Sequence, residues 1–279
     1  MTKKELKEMS FLDHLEDLRW LLIRITVGVL VISCLSYFII DYIFDEIIFA
    51  PIHTDFITYR LFCELTTYLG TDDGGMCIKE MPFIIQSTEM GGQFSIFIWT
   101  CITAGFILGF PYILWEIWKF ISPALYEKEK KNAVWFILSA SILFFVGVLF
   151  GYYLILPLSV NFFGGFNVSS VIKNEFNVDN YIGMVKTSVI SCGLIFELPI
   201  IIYFLTKIGL VTAQSLRQYR RYSIVIILIV AAIITPPDIL SQIIVSIPLL
   251  VLYEVSIFIA VLVNKKEKKG ANIPTIRIK

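Results

Sequence analysis

Long apolar blocks are the feature that most limits how this chain can fold. Six of them follow one another along the 279 residues. They cover residues 20–40, 94–117, 133–158, 182–205, 222–234 and 239–263. A helix of about 20 apolar residues crosses the hydrocarbon core of a bilayer. The chain is 57% hydrophobic and 16% charged, whereas soluble domains average about a quarter charged residues. The sequence therefore predicts an all-α membrane protein that crosses the bilayer several times.

The number of spans depends on the last two blocks. Pro236 and Pro237 separate them, and because proline cannot continue a helix, residues 235–238 predict a sharp turn. The fifth block then forms only about 20 Å of helix and crosses only if arginines snorkel or the bilayer thins. One interrupted span, giving five helices, is the alternative. Because the sixth block can cross alone, we expect six transmembrane helices, with helices five and six short.

Lysines and arginines are shared unevenly between the two sides of this bundle. The N-terminal segment, the loops after the second and fourth blocks and the C-terminal tail hold eighteen, whereas the opposite segments hold three. Basic segments stay in the cytoplasm, so we expect both termini there, which requires an even number of spans. The expected organisation is a cytoplasmic segment 1–19, a membrane domain 20–263 with an outer loop 41–93, and a basic tail 264–279.

Residues 1–19 predict a short amphipathic helix at the membrane surface. Phe11, Leu12, Leu15 and Leu18 recur at helical spacing among polar residues. The first apolar block is longer than the core of a signal peptide, which runs about 7–15 residues. We therefore expect this block to be retained as a membrane helix.

The stretch 119–131 between the second and third blocks has two interpretations. It combines four lysines with Glu127 and Glu129 around a turn that contains Pro123. A basic cytoplasmic loop of this kind can serve only to orient neighbouring helices. Alternatively, the loop is a docking surface whose carboxylates receive a cationic peptide.

Two acids lie inside apolar blocks, where a charge costs about 2.5–3.5 kcal/mol on insertion scales. Glu197 is in the fourth block and Glu254 in the sixth. Each either holds helices together or lines a polar path for substrate, protons or partner helices. Pro199 frees backbone carbonyls beside Glu197, which predicts a locally irregular, hydrated helix. Gln242 is a further polar side chain at the outer end of the sixth block.

The cysteine spacing and the absence of enzyme motifs exclude several classes of protein. Cys63 and Cys77 both lie in the outer loop and form a disulfide if that loop is extracytoplasmic. No zinc-type cysteine spacing is present, so we expect no metal site. Nucleotide-binding, metalloprotease and serine-hydrolase motifs are absent. The net charge of zero gives no case for a nucleic-acid partner.

Four segments in order resemble the TatC family, the core membrane subunit of the twin-arginine protein translocase. Residues 11–19 (FLDHLEDLR) are similar to the HLxELR motif of the family, and residues 118–129 (WKFISPALYEKE) to its first cytoplasmic loop. Residues 196–199 (FELP) and 235–242 (TPPDILSQ) resemble its fourth-helix and last-turn motifs. The resemblance covers residues 11–258, most of the chain.

The resemblance implies a binding site for signal peptides that carry paired arginines. In the family, one carboxylate of the N-terminal motif and one of the first loop receive the pair, and Asp17 and Glu129 hold these positions. The family usually has glutamate in place of Asp17, and Glu16 is adjacent, so either acid is a candidate. Arg19 and Phe120 complete the implied site.

Further positions match the family outside this site. Pro51 corresponds to a proline at the outer end of the first helix, and Glu197 to the intramembrane glutamate. Thr235, Asp238 and Gln242 lie in the region implied to contact single-span partners of the TatA and TatB type.

The resemblance implies a receptor and scaffold without catalytic activity or cofactor. Such a subunit self-associates in the bacterial inner membrane and exports folded proteins with the proton-motive force. The alternative is a proton-coupled secondary transporter that uses Glu197 and Glu254 as proton carriers. Transporters usually show paired repeats and broken helices in both halves. The sequence indicates neither, because its one evident interruption lies between the fifth and sixth blocks.

Overall fold

The computed structural model describes residues 11–70, 83–122, 133–169, 174–235 and 239–271, and most of these residues are helical. The chain forms two compact units. Unit 1 comprises Met1–Ile43 and Gly91–Ile142, and unit 2 comprises Phe44–Met90 and Leu143–Lys279. The expected membrane domain 20–263 thus consists of parts of both units.

Twelve helices and two strands are formed by the described residues. The helices are α1 (Phe11–Ser36), α2 (Ile40–Tyr42), α3 (Ile57–Leu69), α4 (Gly92–Leu108), α5 (Phe110–Ile121), α6 (Ala133–Phe150), α7 (Leu156–Gly165), α8 (Val178–Phe196), α9 (Leu198–Lys207), α10 (Ala213–Gln218), α11 (Arg220–Ile234) and α12 (Ile239–Ala271). The strands β1 (Phe83–Gln86) and β2 (Asn174–Asn177) pair in parallel. Short 3₁₀ or π-helical turns cover Tyr37–Ile39, Ile43–Ile48, Ala50–Ile52 and Gly151–Ile155.

The helix α1 is continuous through Arg19 and Trp20. No glycine or proline lies between residues 11 and 27 to interrupt it. The described part of the segment 1–19 is therefore helical and continuous with the first apolar block, and its expected place at the membrane surface stays a prediction. The expected outer loop 41–93 also contains regular structure, namely α3 and β1.

The second apolar block is bent, which the apolar pattern did not predict. The axes of α4 and α5 differ by 56° across Gly109. Pro111 lies in the first turn of α5. Because its ring has no N–H and would clash with the carbonyl of residue 107, α4 cannot continue straight through it.

Glycines allow the helices of unit 1 to approach closely. A Cβ atom on Gly105 of α4 would overlap the side chain and backbone of Ser33 on α1. A Cβ atom on Gly28 of α1 would likewise overlap the ring of Tyr112 on α5. Small residues at helix contacts are typical of membrane bundles, where dispersion forces replace the hydrophobic effect.

Close approach of helices at glycines also occurs in unit 2, around a continuous apolar core. A Cβ atom on Gly147 of α6 would meet the backbone of Gly193 on α8, and one on Gly193 would meet the ring of Phe144. The core contains Ile155, Cys192, Phe196, Ile227, Ala231, Val245, Leu249, Tyr253 and Ile257. It therefore draws on the turn Gly151–Ile155 and on residues of α8, α11 and α12.

The last two helices differ in length. The helix α11 has 15 residues, about 22 Å at 1.5 Å per residue, and is short as predicted. The helix α12 has 33 residues and includes Pro248, so the prediction that helix six is short is wrong. The proline pair at residues 236–237 limits only where the last helix can begin, and the charged residues beyond 263 are good helix formers that extend it.

The described residues contain four helical stretches long and apolar enough to cross a membrane. They are His14–Tyr68, Val134–Gly165, Val178–Lys207 and Ser241–Lys265. The bent pair α4 and α5 gives a fifth if it counts as one span. The protein is therefore a helical membrane protein with several spans.

The first testable prediction concerns Gly105. We expect Gly105→Ala to lower the free energy of unfolding by about 1–3 kcal/mol, because the new methyl group overpacks against Ser33. This loss opposes the gain of about 1 kcal/mol that alanine brings to a helix. Thermal unfolding of the purified protein in detergent measures the difference.

Gly183→Ala is the matched control, since Gly183 lies in α8 and a Cβ atom there would meet nothing within 4 Å. It should be neutral or mildly stabilising. Equal unfolding temperatures for the two variants would contradict the close packing of α1 and α4.

Candidate functional site

The two segments that carry the expected signal-peptide residues meet in unit 1. The ring of His14 on α1 stacks on the ring of Phe120 near the end of α5, with 4.9 Å between centroids. Asp17 lies one helical turn beyond His14, on the same face of α1. Glu16, Asp17 and Arg19 are all exposed. The structure therefore brings the N-terminal motif next to the residues that lead into the loop 123–132.

A buried ion-pair cluster, which was not predicted from the sequence, lies beside this contact. Glu116 of α5 accepts a bond from Arg24 Nε of α1 at Oε2 (2.8 Å) and one from Lys119 Nζ at Oε1 (2.6 Å). The Glu116 side chain is 3% exposed, whereas those of Arg24 and Lys119 are 48% and 52% exposed. The Tyr112 hydroxyl also donates to the carbonyl of Arg24 (3.2 Å), and Lys119 Nζ lies 5.7 Å from the Trp115 ring centroid.

One sequence signal could have revealed this cluster. Arg24 and Glu116 are opposite charges inside the first and second apolar blocks. Charged residues within membrane helices usually pair with one another or face a cavity. Their pairing was therefore open to prediction, although the register of the two helices was not.

Glu197 lies at a break between α8 and α9. It ends the first helix and precedes the second, in which Pro199 occupies the first turn. Its N–H donates to Leu194 O (3.2 Å), and its carbonyl accepts from the N–H of Ile200 (2.9 Å) and Ile201 (3.0 Å). The irregular helix expected here is confirmed.

The Glu197 side chain is buried without full compensation. It is 6% exposed, and Oε1 has no hydrogen-bond partner among the described residues. A buried acceptor without a partner costs about 1–3 kcal/mol, more if it is charged.

Glu254 is in a different environment from Glu197. Its Oε2 accepts a bond from Arg220 Nη2 at 2.8 Å, and both side chains are about half exposed. This ion pair joins the start of α11 to the middle of α12. Of the two interpretations of Glu254, the contact supports the one in which it holds helices together.

Tyrosine hydroxyls surround the turn that contains Pro51. Pro51 is buried, and its carbonyl accepts from Tyr59 Oη at 3.0 Å. Tyr59 also reaches the carbonyl of Pro157 (3.2 Å), and Tyr181 donates to the carbonyl of Ile48 (2.6 Å). Pro51 is therefore a structural position, at which side chains satisfy carbonyls that the irregular turn leaves free.

The described residues of the expected partner-contact region bond within the chain. Thr235 is buried, and its hydroxyl donates to Ala231 O at 2.8 Å. Gln242 on α12 donates to Leu228 O on α11 at 3.2 Å. Gln242 therefore links the two last helices.

Cysteines and acidic residues give no sign of a metal centre. Cys63 is disulfide-bonded, whereas Cys34, Cys101 and Cys192 are free thiols. Cys101 and Cys192 are buried, whereas Cys34 is exposed. Among the described residues, no group of three or more His, Cys, Asp or Glu side chains could hold a metal ion.

An apolar cavity of about 320 Å³ opens in unit 2 beside the two strands. Its lining includes Phe83 of β1, Phe176 of β2 and Tyr181 of α8, with Asn180 as a polar neighbour. Among the described residues, no charged side chain lines it.

Five of the expected site residues lie outside the described part of the chain. They are Cys77, Glu129, Pro236, Pro237 and Asp238. The disulfide partner of Cys63, the second receptor carboxylate and the turn before α12 remain sequence-based expectations.

Comparison with known proteins identifies the family. The model of the family described as "Sec-independent protein translocase protein (TatC)" matches residues 13–248. A TatC from Blattabacterium sp. subsp. Periplaneta americana is 42% identical over 265 residues, which cover 95% of this chain and 100% of that protein. The TatC of Aquifex aeolicus is 34% identical over 262 residues, which cover 94% and 98% of the two chains.

A solved structure matches the fold as well. The crystal structure of the twin arginine translocase receptor TatC superposes with a TM-score of 0.67 and 34% sequence identity, covering 90% of this chain and 99% of that one. Proteins of the TatC family are components of a protein translocase and are not enzymes. The match does not favour the alternative of a secondary transporter. From the family match, the near-full-length relatives and the shared fold, we conclude that this chain belongs to the TatC family of Sec-independent protein translocase proteins.

Proposed function

We propose that this chain is the receptor and scaffold subunit of a twin-arginine translocase. It binds signal peptides with paired arginines on its cytoplasmic face and assembles with TatA/TatB-type single-span proteins and with further copies of itself. The complex moves folded proteins across the bacterial inner membrane with the proton-motive force. Family membership supports this proposal, as does the structural match to a protein described as a twin arginine translocase receptor.

The contact between His14 and Phe120 is the observation that carries the receptor proposal. It holds the start of α1, with Asp17 one turn away, against the end of α5, which leads directly into the loop with Glu129. A carboxylate from each segment can then face two adjacent arginines. Carboxylates bind guanidinium groups through two parallel hydrogen bonds, a geometry that a lysine ammonium cannot reproduce.

The proposed topology has six spans and cytoplasmic termini. The uneven distribution of lysine and arginine supports this orientation. In it, α11 is the fifth span, although its roughly 22 Å is shorter than the hydrocarbon core of about 30 Å. Arg220 and Arg221 are exposed at its start, where they can reach the interface while the bilayer thins locally.

Partner helices are proposed to dock near Glu197 and the turn between α11 and α12. Thr235, Asp238 and Gln242 mark that turn, and α11 exposes Ile226, Ile229 and Ile233. A short helix with an apolar outer surface leaves room for a single-span partner.

The second prediction tests the receptor site. We expect Glu129→Arg to abolish binding of a twin-arginine signal peptide without unfolding the protein, because it replaces an acceptor of arginine by a repelling cation. Asp17→Ala should weaken binding less, because Glu16 is adjacent. Binding of labelled peptide to the protein in lipid nanodiscs is the measurement, with a twin-lysine peptide for comparison.

Glu127→Arg is the matched control, since it adds the same charge two residues away in the same loop. It should reduce binding less than Glu129→Arg. Full binding by the double variant Asp17→Ala and Glu129→Arg would place the recognition site elsewhere and leave the loop 119–131 as an orientation signal.

The third prediction concerns Glu197. We expect Glu197→Ala to lower export of a twin-arginine precursor while the protein stays inserted and abundant, because the variant removes the carboxylate near which partner helices are proposed to dock, and no hydrogen bond of Oε1 to a described residue is lost. Export is measured in cells whose own copy has been deleted. Unchanged export at equal abundance would assign Glu197 to structure alone.

The fourth prediction concerns the outer loop. We propose that Cys63 pairs with Cys77, which would close a loop of about 15 residues and stabilise it by about 3 kcal/mol in the chain-entropy treatment. Thiol labelling of the denatured protein should then detect three cysteines before reduction and five afterwards. Five labelled thiols without reduction would refute the pairing and question the outer location of this loop.

A further inference from the structure

We propose that Glu116 is a positioning residue of the signal-peptide site, which acts by tying α1 to α5 through Arg24. This inference rests on the proposed function and adds a residue that neither the TatC resemblance nor the sequence motifs assigned. Glu116 does not itself receive the peptide, because each of its oxygens already bonds a cation and its side chain is 3% exposed.

The geometry makes Arg24, and not Lys119, the tether between the helices. Arg24 lies on α1 and reaches Glu116 across the helix contact at 2.8 Å. Lys119 lies on α5 with Glu116, three residues further along the same helix. Both cations neutralise the buried carboxylate, but only the bond to Arg24 restrains one helix against the other.

The position of the tether links it to the receptor surface. Arg24 follows Asp17 by seven residues, about 10 Å along α1, and Glu116 precedes Phe120 by one turn of α5. The pair Arg24–Glu116 and the ring contact His14–Phe120 therefore join the same two helices at two levels. Together with the packing of Tyr112 on Gly28, these two separated contacts restrain the rotation and the register of α1 against α5 more tightly than either contact does alone.

This restraint matters because the receptor proposal needs two carboxylates on separate segments. The two carboxylates distinguish paired arginines from lysines with high specificity only if they keep a fixed separation and orientation. If the two helices rotate or slide, single ion pairs still form, but the bidentate geometry that excludes lysine is lost. Loss of the tether should therefore reduce the discrimination between arginine and lysine as well as the affinity for the signal peptide.

The substitution of Arg24 separates the tether from a simple charge effect. Arg24→Gln removes a positive charge near a site for a positively charged peptide. On charge alone, this variant should bind the peptide more tightly. A positioning role predicts weaker binding. Lys119→Gln removes a cation from the same carboxylate but leaves the tether intact, so it is the matched control.

The experiment measures binding of a twin-arginine and a twin-lysine peptide to the full-length protein in nanodiscs. We expect Glu116→Gln and Arg24→Gln to weaken binding of the twin-arginine peptide about tenfold and to narrow its preference over the twin-lysine peptide. Lys119→Gln should bind at least as tightly as the unchanged protein. Arg24→Lys, which keeps a cation near Glu116, should restore most of the affinity.

A second readout reports the helix geometry directly. Spin labels at Leu15 of α1 and Ser122 at the end of α5 should give a broader distance distribution in Glu116→Gln and Arg24→Gln than in the unchanged protein or in Lys119→Gln. Equal unfolding temperatures among the variants exclude general destabilisation as the cause.

The outcomes distinguish this inference from the proposed function. If the unchanged protein binds both peptides equally, the proposed function fails and the role of Glu116 fails with it. If the unchanged protein prefers arginine and Arg24→Gln binds as tightly or more tightly, or if its distance distribution stays narrow, the tether alone is overturned.

Discussion

The structure depends on keeping every backbone polar group bonded where helices are interrupted within apolar segments. Water is absent from the bilayer core, so unbonded N–H and C=O groups there cost several kcal/mol each. At the bend between α4 and α5, Gly109 N–H donates to Gly105 O (2.9 Å) and Ile113 N–H to Gly109 O (3.0 Å). These bonds lie on either side of Gly109, so the chain changes direction by 56° while the N–H and the carbonyl of Gly109 both stay bonded.

Close helix packing is the second condition, and glycines provide it. Where Gly105 meets Ser33, the backbones of α1 and α4 come close enough for extensive dispersion contact. Gly28 lets the ring of Tyr112 lie against α1, and the Tyr112 hydroxyl then reaches Arg24 O. The same approach of α5 to α1 brings Glu116 within bonding distance of Arg24. The electrostatic contact therefore depends on the packing of small residues.

Features that depend on residue composition were predicted well from the sequence, whereas features that depend on helix geometry were predicted poorly. Apolar blocks identified the long apolar helices that can cross a membrane, and Pro199 beside Glu197 identified the break between α8 and α9, because both features depend on residue type. The bend at Gly109 was not predicted, although Pro111 indicates it, because membrane helices often tolerate a proline without a large change of direction.

Contacts between distant segments were beyond prediction for a physical reason. The pairing of Arg24 with Glu116 depends on the rotation and register of two helices, and these follow from packing at Gly28 and Gly105 that no single segment specifies. The TatC motifs singled out Asp17 and Phe120 as candidate site residues, but could not show that His14 makes the contact between their segments.

Three acids within apolar helices show how charge compensation separates structural from functional roles. Glu116 is buried and bonded by two cations, so its charge is compensated within unit 1. Glu254 is half exposed and bonded by one arginine. Glu197 is buried in unit 2 with an oxygen that has no described partner. An uncompensated buried acceptor destabilises the fold that contains it, so Glu197 differs from the other two acids in its contacts. Compensation is therefore consistent with Glu116 and Glu254 holding helices together, and a contact of Glu197 with a partner helix stays a proposal.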